Sequence, residues 1–269
     1  MRHWFSLVLA VVAVMPIESV AGQRVLTVTA RDTGLEAAAT VPAGLLTVRL
    51  VLQGKTRRDL VVRRIPAGMA PEALARMAAG RTERFFQQWS YGGPLTPRDT
   101  MPDAMATVDL RPGRYALVSW EVDAAGRPRP DRYVWRPFNA VQTSVLIPAR
   151  FPVPDLMVKL RDARVEVSGA TRPGSRSIQV ENVGARPHEL IVGRLKPGKT
   201  VDDAKRWTRD KGEPPFIYVG GVMPISPQIT TQTRLVLQSG THVVLCALRG
   251  EHQKAPDNEL GVIGSFKVN

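Results

Sequence analysis

Hydrophobic and polar residues alternate at the start of two long regions of the chain. In residues 25–30 the apolar Leu26, Val28 and Ala30 alternate with Thr27 and Thr29, and residues 157–167 show the same period. A period of two is typical of a β-strand with one face buried and one face exposed. The pattern therefore predicts that each region begins with a half-buried strand.

The elements predicted after these two strands follow the same order in both regions. Each region continues with a turn containing Pro and Gly, two strands, a short helix, a Gly-Gly pair and two further strands. The predicted strands are residues 46–52, 59–65, 107–110 and 114–120 in the first region, and 177–181, 189–195, 233–238 and 242–248 in the second. The predicted helices are residues 71–77 and 201–207, the second capped by Thr200. Strands spaced regularly between turns favour an all-β sandwich.

The two regions also align as an internal repeat. A shift of 130 residues places Leu60 on Leu190, and smaller shifts later in the chain align the Gly-Gly pairs and the last strands. Under this alignment His188 faces Arg58, and Cys246 faces Ser119. A repeat with such asymmetric side chains indicates one half that carries chemistry and one that serves as a scaffold.

The sequence predicts a secretory signal followed by two domains. Residues 1–21 combine a short polar start, an apolar run and small residues, as a secretory signal does. An uncleaved membrane anchor is the alternative interpretation. We expect a first domain over residues 22–147, a Pro-rich linker over 148–155 and a second domain over 156–269. The mature protein would be secreted or periplasmic and would lack a transmembrane segment.

The net charge of +13 changes the expected partners. A basic surface favours anionic partners, such as an acidic redox or scaffold protein. The basic residues are scattered and no nucleic-acid-binding motif is present, so we expect no nucleic-acid partner.

The single cysteine, Cys246, excludes an internal disulfide. A lone thiol in an exported protein is exposed to oxidation, so it needs a reason. Burial as a small hydrophobic side chain is one reason, and metal ligation is the other.

Three sequence features resemble those of the cupredoxins, the Greek-key sandwich family of plastocyanin and the halocyanins. They are a Pro-Gly turn with the strand after it, the Pro-His-Glu-Leu segment at residues 187–190, and a strand over residues 240–246 that is similar to the family's Gly-x-Tyr-x-x-x-Cys pattern and ends at Cys246. The resemblance covers two tandem copies, each with a short helical insertion. It implies two tandem Greek-key cupredoxin-like β-sandwiches.

The resemblance also implies a copper site in the second copy alone. It carries the family's ligand positions to His188 and Cys246, and it leaves His252 as the candidate for the second imidazole. Two imidazoles and one thiolate form the trigonal set of blue-copper sites. The sequence departs from the family in two ways. Five residues separate Cys246 from His252, which is a longer spacing, and residues 260–264 contain no axial Met.

Two functions follow as hypotheses. The first is an exported protein that binds one copper ion for electron transfer or copper handling. The alternative is a metal-free scaffold or protein-binding module with a basic surface. We do not expect an enzyme, because four histidines are too few for a second, catalytic copper site and one of them, His3, lies in the predicted signal. A hydrolase that uses Cys246 and His188 is not expected either, because the sequence marks neither an oxyanion hole nor a third group to orient the histidine.

Overall fold

The computed structural model describes most of the chain, namely residues 18–20, 23–80, 82–96, 104–123, 127–143, 150–169, 171–209 and 212–269. Apart from residues 18–20, the predicted signal lies outside this range. The end of the predicted first domain, residues 144–147, lies outside it too. Among the described residues, no helix has the length and apolarity needed to cross a membrane.

The described residues form mainly β-strands, as the alternation predicts. The first half contains strands β1 (Glu18–Val20), β2 (Gln23–Ala30), β3 (Leu35–Glu36), β4 (Thr40–Pro42), β5 (Gly44–Leu52), β6 (Arg57–Arg64), β7 (Pro94–Leu95), β8 (Ala104–Leu110), β9 (Gly113–Val122) and β10 (Pro128–Val141). The second half contains β11 (Leu156–Arg161), β12 (Arg164–Gly169), β13 (Gly174–Asn182), β14 (His188–Leu195), β15 (Phe216–Ile225), β16 (Thr230–Leu237), β17 (Gly240–Leu245) and β18 (Ile263–Val268).

The described helices are short, and two of them confirm the predicted insertions. They are α1 (Pro71–Ala78), α2 (Glu83–Phe86) and α3 (Val201–Arg206). Thr200 accepts a hydrogen bond from the backbone of Asp203, whose side chain bonds back to Thr200, so a capping box starts α3. Helix α2 was not predicted.

Each half is a sandwich of two sheets. In the first half, β2, β5 and β8 face a four-stranded sheet of order β4-β10-β9-β6. In the second half, β12, β11, β13 and β16 face a sheet of order β18-β17-β14-β15. The predicted fold class, all-β with two tandem Greek-key sandwiches and short helical insertions, is confirmed.

The halves are joined through their sheets. Strand β8 of the first half pairs with β16 of the second, so one nine-stranded sheet runs through both. Strand β7 also pairs with β15 across the boundary. These shared edges leave fewer exposed backbone groups than two separate sandwiches would.

Strands β6 and β14 are buried on both faces. Alternate residues Leu60 and Val62 point into the core of the first sandwich, and Leu190 and Val192 point into that of the second. The residues between them, such as Ile191, face a third core between the halves. That core also holds the aromatic side chains Phe85, Phe86, Trp120, Trp207, Phe216 and Tyr218.

The prolines after residue 127 do not keep this segment out of the sheets. Residues 128–141 form β10, which pairs with β9 and β4. A register shift between Arg129 and Tyr133 accommodates the irregular start of the strand. Residues 150–155 lie outside strands and helices. The exact bounds of the predicted linker stay a prediction.

The glycines of the repeat occupy equivalent places. Gly93 and Gly221 have φ angles of 154° and 152°. A Cβ atom on Gly93 would collide with the carbonyl oxygen of Leu60, and one on Gly221 would collide with that of Leu190. The same close approach of two backbones therefore occurs in both halves, at the positions that the alignment pairs.

Candidate metal centre

Two adjacent strands bring His188 and Cys246 together. His188 is the first residue of β14, and Cys246 directly follows β17, which pairs with β14. Both side chains are fully buried. The backbone N–H of Glu189 donates to Cys246 Sγ at 3.4 Å. The structure thus brings these two predicted site residues together, while their role as ligands stays a prediction.

The third member of the site is Asp257. Its Oδ2 lies 2.9 Å from His188 Nδ1 and 3.3 Å from Cys246 Sγ, which donates to it. Ligand atoms of the three residues lie within 4.8 Å of one another, and all three residues are buried. One imidazole, one thiol and one carboxylate thus converge on a small volume.

The structure does not bring His252 to this group. His252 is exposed, whereas the group of buried ligand atoms is completed by Asp257. Sequence reasoning missed Asp257, because it looked for an imidazole and the residue lies eleven positions after Cys246. The expected second imidazole is therefore replaced by a carboxylate in the described arrangement.

The loop that carries Asp257 is held by its own hydrogen bonds. Asp257 N donates to Leu248 O, and Val262 N donates to Asp257 O. The side-chain amide of the next residue, Asn258, donates to carbonyl oxygens at the end of α3, those of Ala204, Lys205 and Trp207. The loop thus folds back toward β17 and is anchored to the helical insertion.

A second layer of polar groups orients the three ligand residues. Arg186 Nη2 and Gln253 Nε2 donate to Asp257 Oδ1 at 2.6 and 3.0 Å, which leaves Oδ2 facing His188 and Cys246. On the other side of the ring, His188 Nε2 lies 3.1 Å from Asp162 Oδ1. Such outer partners fix the orientation of ligating side chains.

Burial and neighbouring charges set the protonation of the site. Burial raises the pKa of the Cys246 thiol well above its usual value, and the carboxylates of Asp257 and Glu189 raise it further. Burial also acts to raise the pKa of Asp257, but hydrogen bonds from His188, Arg186 and Gln253 outweigh it and hold that pKa below its usual value. Without a metal, the site therefore contains a thiol beside a carboxylate.

The donor set fits a transition-metal ion. Imidazole nitrogen and thiolate sulfur both bind copper and zinc, and a carboxylate oxygen can complete either site. The set lacks the second imidazole of a blue-copper centre, so it departs from the trigonal arrangement implied by the resemblance. His188, Cys246 and Asp257 are the residues that could hold the ion.

Among the described residues of the first half, no such donor set lies at the equivalent position. Arg58 occupies the place of His188, and its Nη2 donates to Asp32 O at 3.0 Å and to Glu121 Oε1 at 3.4 Å. Ser119 occupies the place of Cys246 and is fully buried. A guanidinium cannot ligate a cation, because it has donors and no acceptor.

His242 lies apart from the site and has a structural role. It is buried, and its ring stacks on that of Phe266 with 5.2 Å between the centroids. Its equivalent in the first half, Tyr115, donates through its hydroxyl to Arg111 O at 2.8 Å. Both side chains are therefore packed inside their sandwiches.

The strand order and the positions of His188 and Cys246 together define a cupredoxin-like fold in two tandem copies. No protein-family model matches the chain, and no curated protein matches it. The chain is similar to solved structures at low identity.

One of these structures is a Na-dithionite reduced auracyanin from Roseiflexus castenholzii, with 14% identity, 42% of this chain and 94% of that chain covered, and a TM-score of 0.32. A second is a Cu-containing nitrite reductase from Thermus scotoductus SA-01, with 12% identity, 91% and 61% covered, and a TM-score of 0.27. A third is a multicopper oxidase from Campylobacter jejuni, described as a metallo-oxidase, with 9% identity, 91% and 64% covered, and a TM-score of 0.28.

The comparisons correct the prediction that the chain is not an enzyme. The nitrite reductase and the metallo-oxidase are enzymes, and each likeness extends over 91% of this chain. The prediction, which rested on the small number of histidines, was therefore wrong. At these identities the likenesses concern the fold and assign no reaction to this chain.

Proposed function

We propose that the second half binds one copper ion through His188 Nδ1, Cys246 Sγ and Asp257 Oδ2. The observation that carries this proposal is the convergence of three buried ligand atoms within 4.8 Å of one another. Copper(II) follows from the affinity order of divalent ions for such a site and from the cupredoxin-like fold. This proposal keeps His188 and Cys246 from the sequence prediction and replaces His252 with Asp257.

Binding requires proton changes at Cys246 and at His188 Nδ1, whereas Asp257 is already a carboxylate at neutral pH. Cys246 must lose its proton, and the hydrogen bond between His188 Nδ1 and Asp257 Oδ2 must open so that both atoms can act as ligands. The hydrogen bond between His188 Nε2 and Asp162 remains and preserves the orientation of the ring. Arg186 and Gln253 keep hold of Asp257 Oδ1. When bound, copper would supply a one-electron couple, which suits electron transfer or copper handling.

A metal-free scaffold is the second candidate function. Its support is the hydrogen-bond network itself, in which Asp257 bonds to His188, Cys246, Arg186 and Gln253 at once. A buried polar network that is fully bonded stabilises a fold without any ion. In this case Cys246 and His188 serve the structure of the second sandwich.

Two wider aspects of the function are also proposals. The apolar segment near the start of the chain supports export, which would place the protein in the periplasm or outside the cell. The net charge of +13 supports an acidic redox or scaffold protein as partner.

The test is copper retention by the purified protein. The protein is loaded with Cu(II), passed over a desalting column and analysed for metal and for a thiolate-to-copper absorption band. We expect one equivalent of retained copper and an absorption band, both absent from Cys246→Ser. The matched control is Ser119→Ala at the equivalent position of the first half, which should retain the metal. Failure of the wild-type protein to retain copper would favour the metal-free scaffold.

A further inference from the structure

A cavity of about 430 Å³ lies between the two halves, beside the candidate metal centre. Its walls come from residues 80, 83, 127, 128 and 130 of the first half, and from residues 186, 187, 209, 247–250 and 257 of the second. This volume falls within the usual range for small-molecule sites, roughly 300 to 1,000 Å³. The cavity is therefore large enough for a small ligand.

The charged residues lining the cavity are mainly arginines. Four arginines and two carboxylates line it, so the lining carries a net charge of two positive units; these residues are Arg127, Arg186, Arg209, Arg249, Glu83 and Asp257. The arginines come from both halves, and no element carries more than one of them. Their positive charges are thus brought together by the fold and not by a run of basic sequence.

The two carboxylates of the lining are engaged with groups of the protein. Asp257 Oδ1 accepts from Arg186 and Gln253. Glu83 Oε2 accepts from the backbone N–H of Glu251 at 3.1 Å, and its Oε1 lies 3.9 Å from Arg186 Nη1. These contacts tie the carboxylates to one wall of the cavity.

The arginines, in contrast, keep most of their donors available within the described part of the chain. Arg127 bonds through Nε to Asp123, and Arg209 bonds through Nη2 to Glu189. Arg249 bonds only to two backbone carbonyl oxygens, those of Gln253 and Lys254. Each guanidinium has five N–H donors, so each of these arginines uses one or two of them. The Nε of Arg209 is buried and has no hydrogen-bond partner among the described residues.

We propose that this cavity binds a small multivalent anion whose negative charge is spread over several oxygens, such as a phosphate or a polycarboxylate. Guanidinium groups match the geometry of both anions, because they form paired N–H···O bonds with two oxygens at once. Arginines on both halves would close around the same ligand. The ligand would then contact the loops that carry Cys246 and Asp257.

The proposal does not depend on copper and is tested without it. Chelator-treated protein is titrated by calorimetry with inorganic phosphate in one arm and with citrate in the other, at constant ionic strength. We expect saturable binding at one site in at least one arm, which also identifies the anion class. Added salt should weaken the binding, because charge attraction is screened. Absence of saturable binding in both arms would overturn the proposal.

A pair of double variants separates the cavity from the general surface charge. Arg127→Gln with Arg249→Gln should weaken anion binding by about 10-fold or more, because two guanidinium contacts are lost. The control is Arg31→Gln with Arg176→Gln. Arg31 matches Arg127 in exposure and in its carboxylate partner, and Arg176 matches Arg249 in its backbone bonds. The control should bind like the wild type, and equal weakening in both double variants would contradict a site in the cavity.

Discussion

The two halves of the molecule have the same fold and differ in the side chains at the candidate metal centre. Asp32 follows β2 in the first half, and Asp162 follows β11 in the second. Each carboxylate accepts backbone hydrogen bonds from the loop that precedes β6 or β14 in its half. In the second half that loop leads to His188, and in the first it leads to Arg58. The fold thus preserves the loop while the side chain after it changes from an imidazole to a guanidinium.

The two sites also solve the problem of buried polarity in different ways. In the second half, Asp257 bonds to four side chains around it. In the first half, Arg58 is 2% exposed and uses only its Nη2 in hydrogen bonds among the described residues, while burial lowers its pKa. An ion can replace hydrogen bonds of the connected network and use the imidazole, thiolate and carboxylate as ligands. The buried guanidinium of Arg58 has no lone pair to offer an ion, and it bonds to Asp32 O and Glu121. The comparison teaches that the backbone alone does not make a metal centre.

The largest expected effect concerns what the halves share. Gly93→Ala and Gly221→Ala should each reduce the free energy of unfolding by about 3 kcal/mol or more, because a Cβ atom collides with a backbone carbonyl and the φ angle is unfavourable. Denaturant unfolding measures the loss. The control Gly34→Ala, which meets no atom within 4 Å, should stay within about 0.5 kcal/mol of wild type. A tolerated alanine at only one of the two positions would break the equivalence of the halves.

An intermediate effect concerns the network of the second half. Asp257→Asn should reduce the free energy of unfolding of metal-free protein by about 2 kcal/mol at neutral pH, because the carboxylate beside Arg186 and His188 is lost. The folded-state pKa of Asp257 is below its usual value, so its contribution is present above about pH 4 and is lost as the pH falls through the folded pKa.

Denaturant unfolding at several pH values checks this sign. The difference between wild type and Asp257→Asn should shrink in acid. The control is Asp109→Asn on the exposed face of β8, which should stay within about 0.5 kcal/mol at every pH. A difference that grows as the pH falls would contradict the assigned protonation.

The smallest effect concerns the first-half counterpart of Cys246. The hydroxyl of Ser119 is buried and has no hydrogen-bond partner among the described residues. Ser119→Ala should therefore leave the stability within about 0.5 kcal/mol or raise it slightly, because an unsatisfied polar group is removed. Cys246→Ala should cost about 1 kcal/mol, since it deletes a buried sulfur that contacts Glu189 N and Asp257. A larger loss at Ser119 than at Cys246 would reverse the comparison.

The sequence predicted the repeating parts of the fold well. Alternation located the strands, and glycines such as Gly93 and Gly221 aligned the halves, because these features follow from local backbone geometry. The family resemblance placed His188 and Cys246 together, and in the structure they lie at the ends of the paired strands β14 and β17. The strand β10 was harder to predict, because a proline has no N–H group to donate to a neighbouring strand. Its place in the sheet depends on pairing with β4 and β9, which local sequence does not encode.

Asp257 could not be predicted by the same reasoning. Its position depends on a long loop whose path is set by distant contacts, including the bonds that Asn258 donates to the end of α3 and the bond that Glu251 N donates to Glu83 Oε2. No local period or spacing encodes such contacts. From the sequence alone, His252 and Asp257 are equally plausible as the third ligand. The folded loop exposes His252 and buries Asp257.

The central claim is that Asp257, and not His252, completes the metal centre. The most direct test compares copper retained per protein by wild type, Asp257→Asn and His252→Gln after identical loading and desalting, with circular dichroism to confirm folding. We predict one equivalent for wild type and for His252→Gln, and a clear loss for Asp257→Asn. Retention by Asp257→Asn together with loss in His252→Gln would contradict the claim and restore the two-imidazole site implied by the family resemblance.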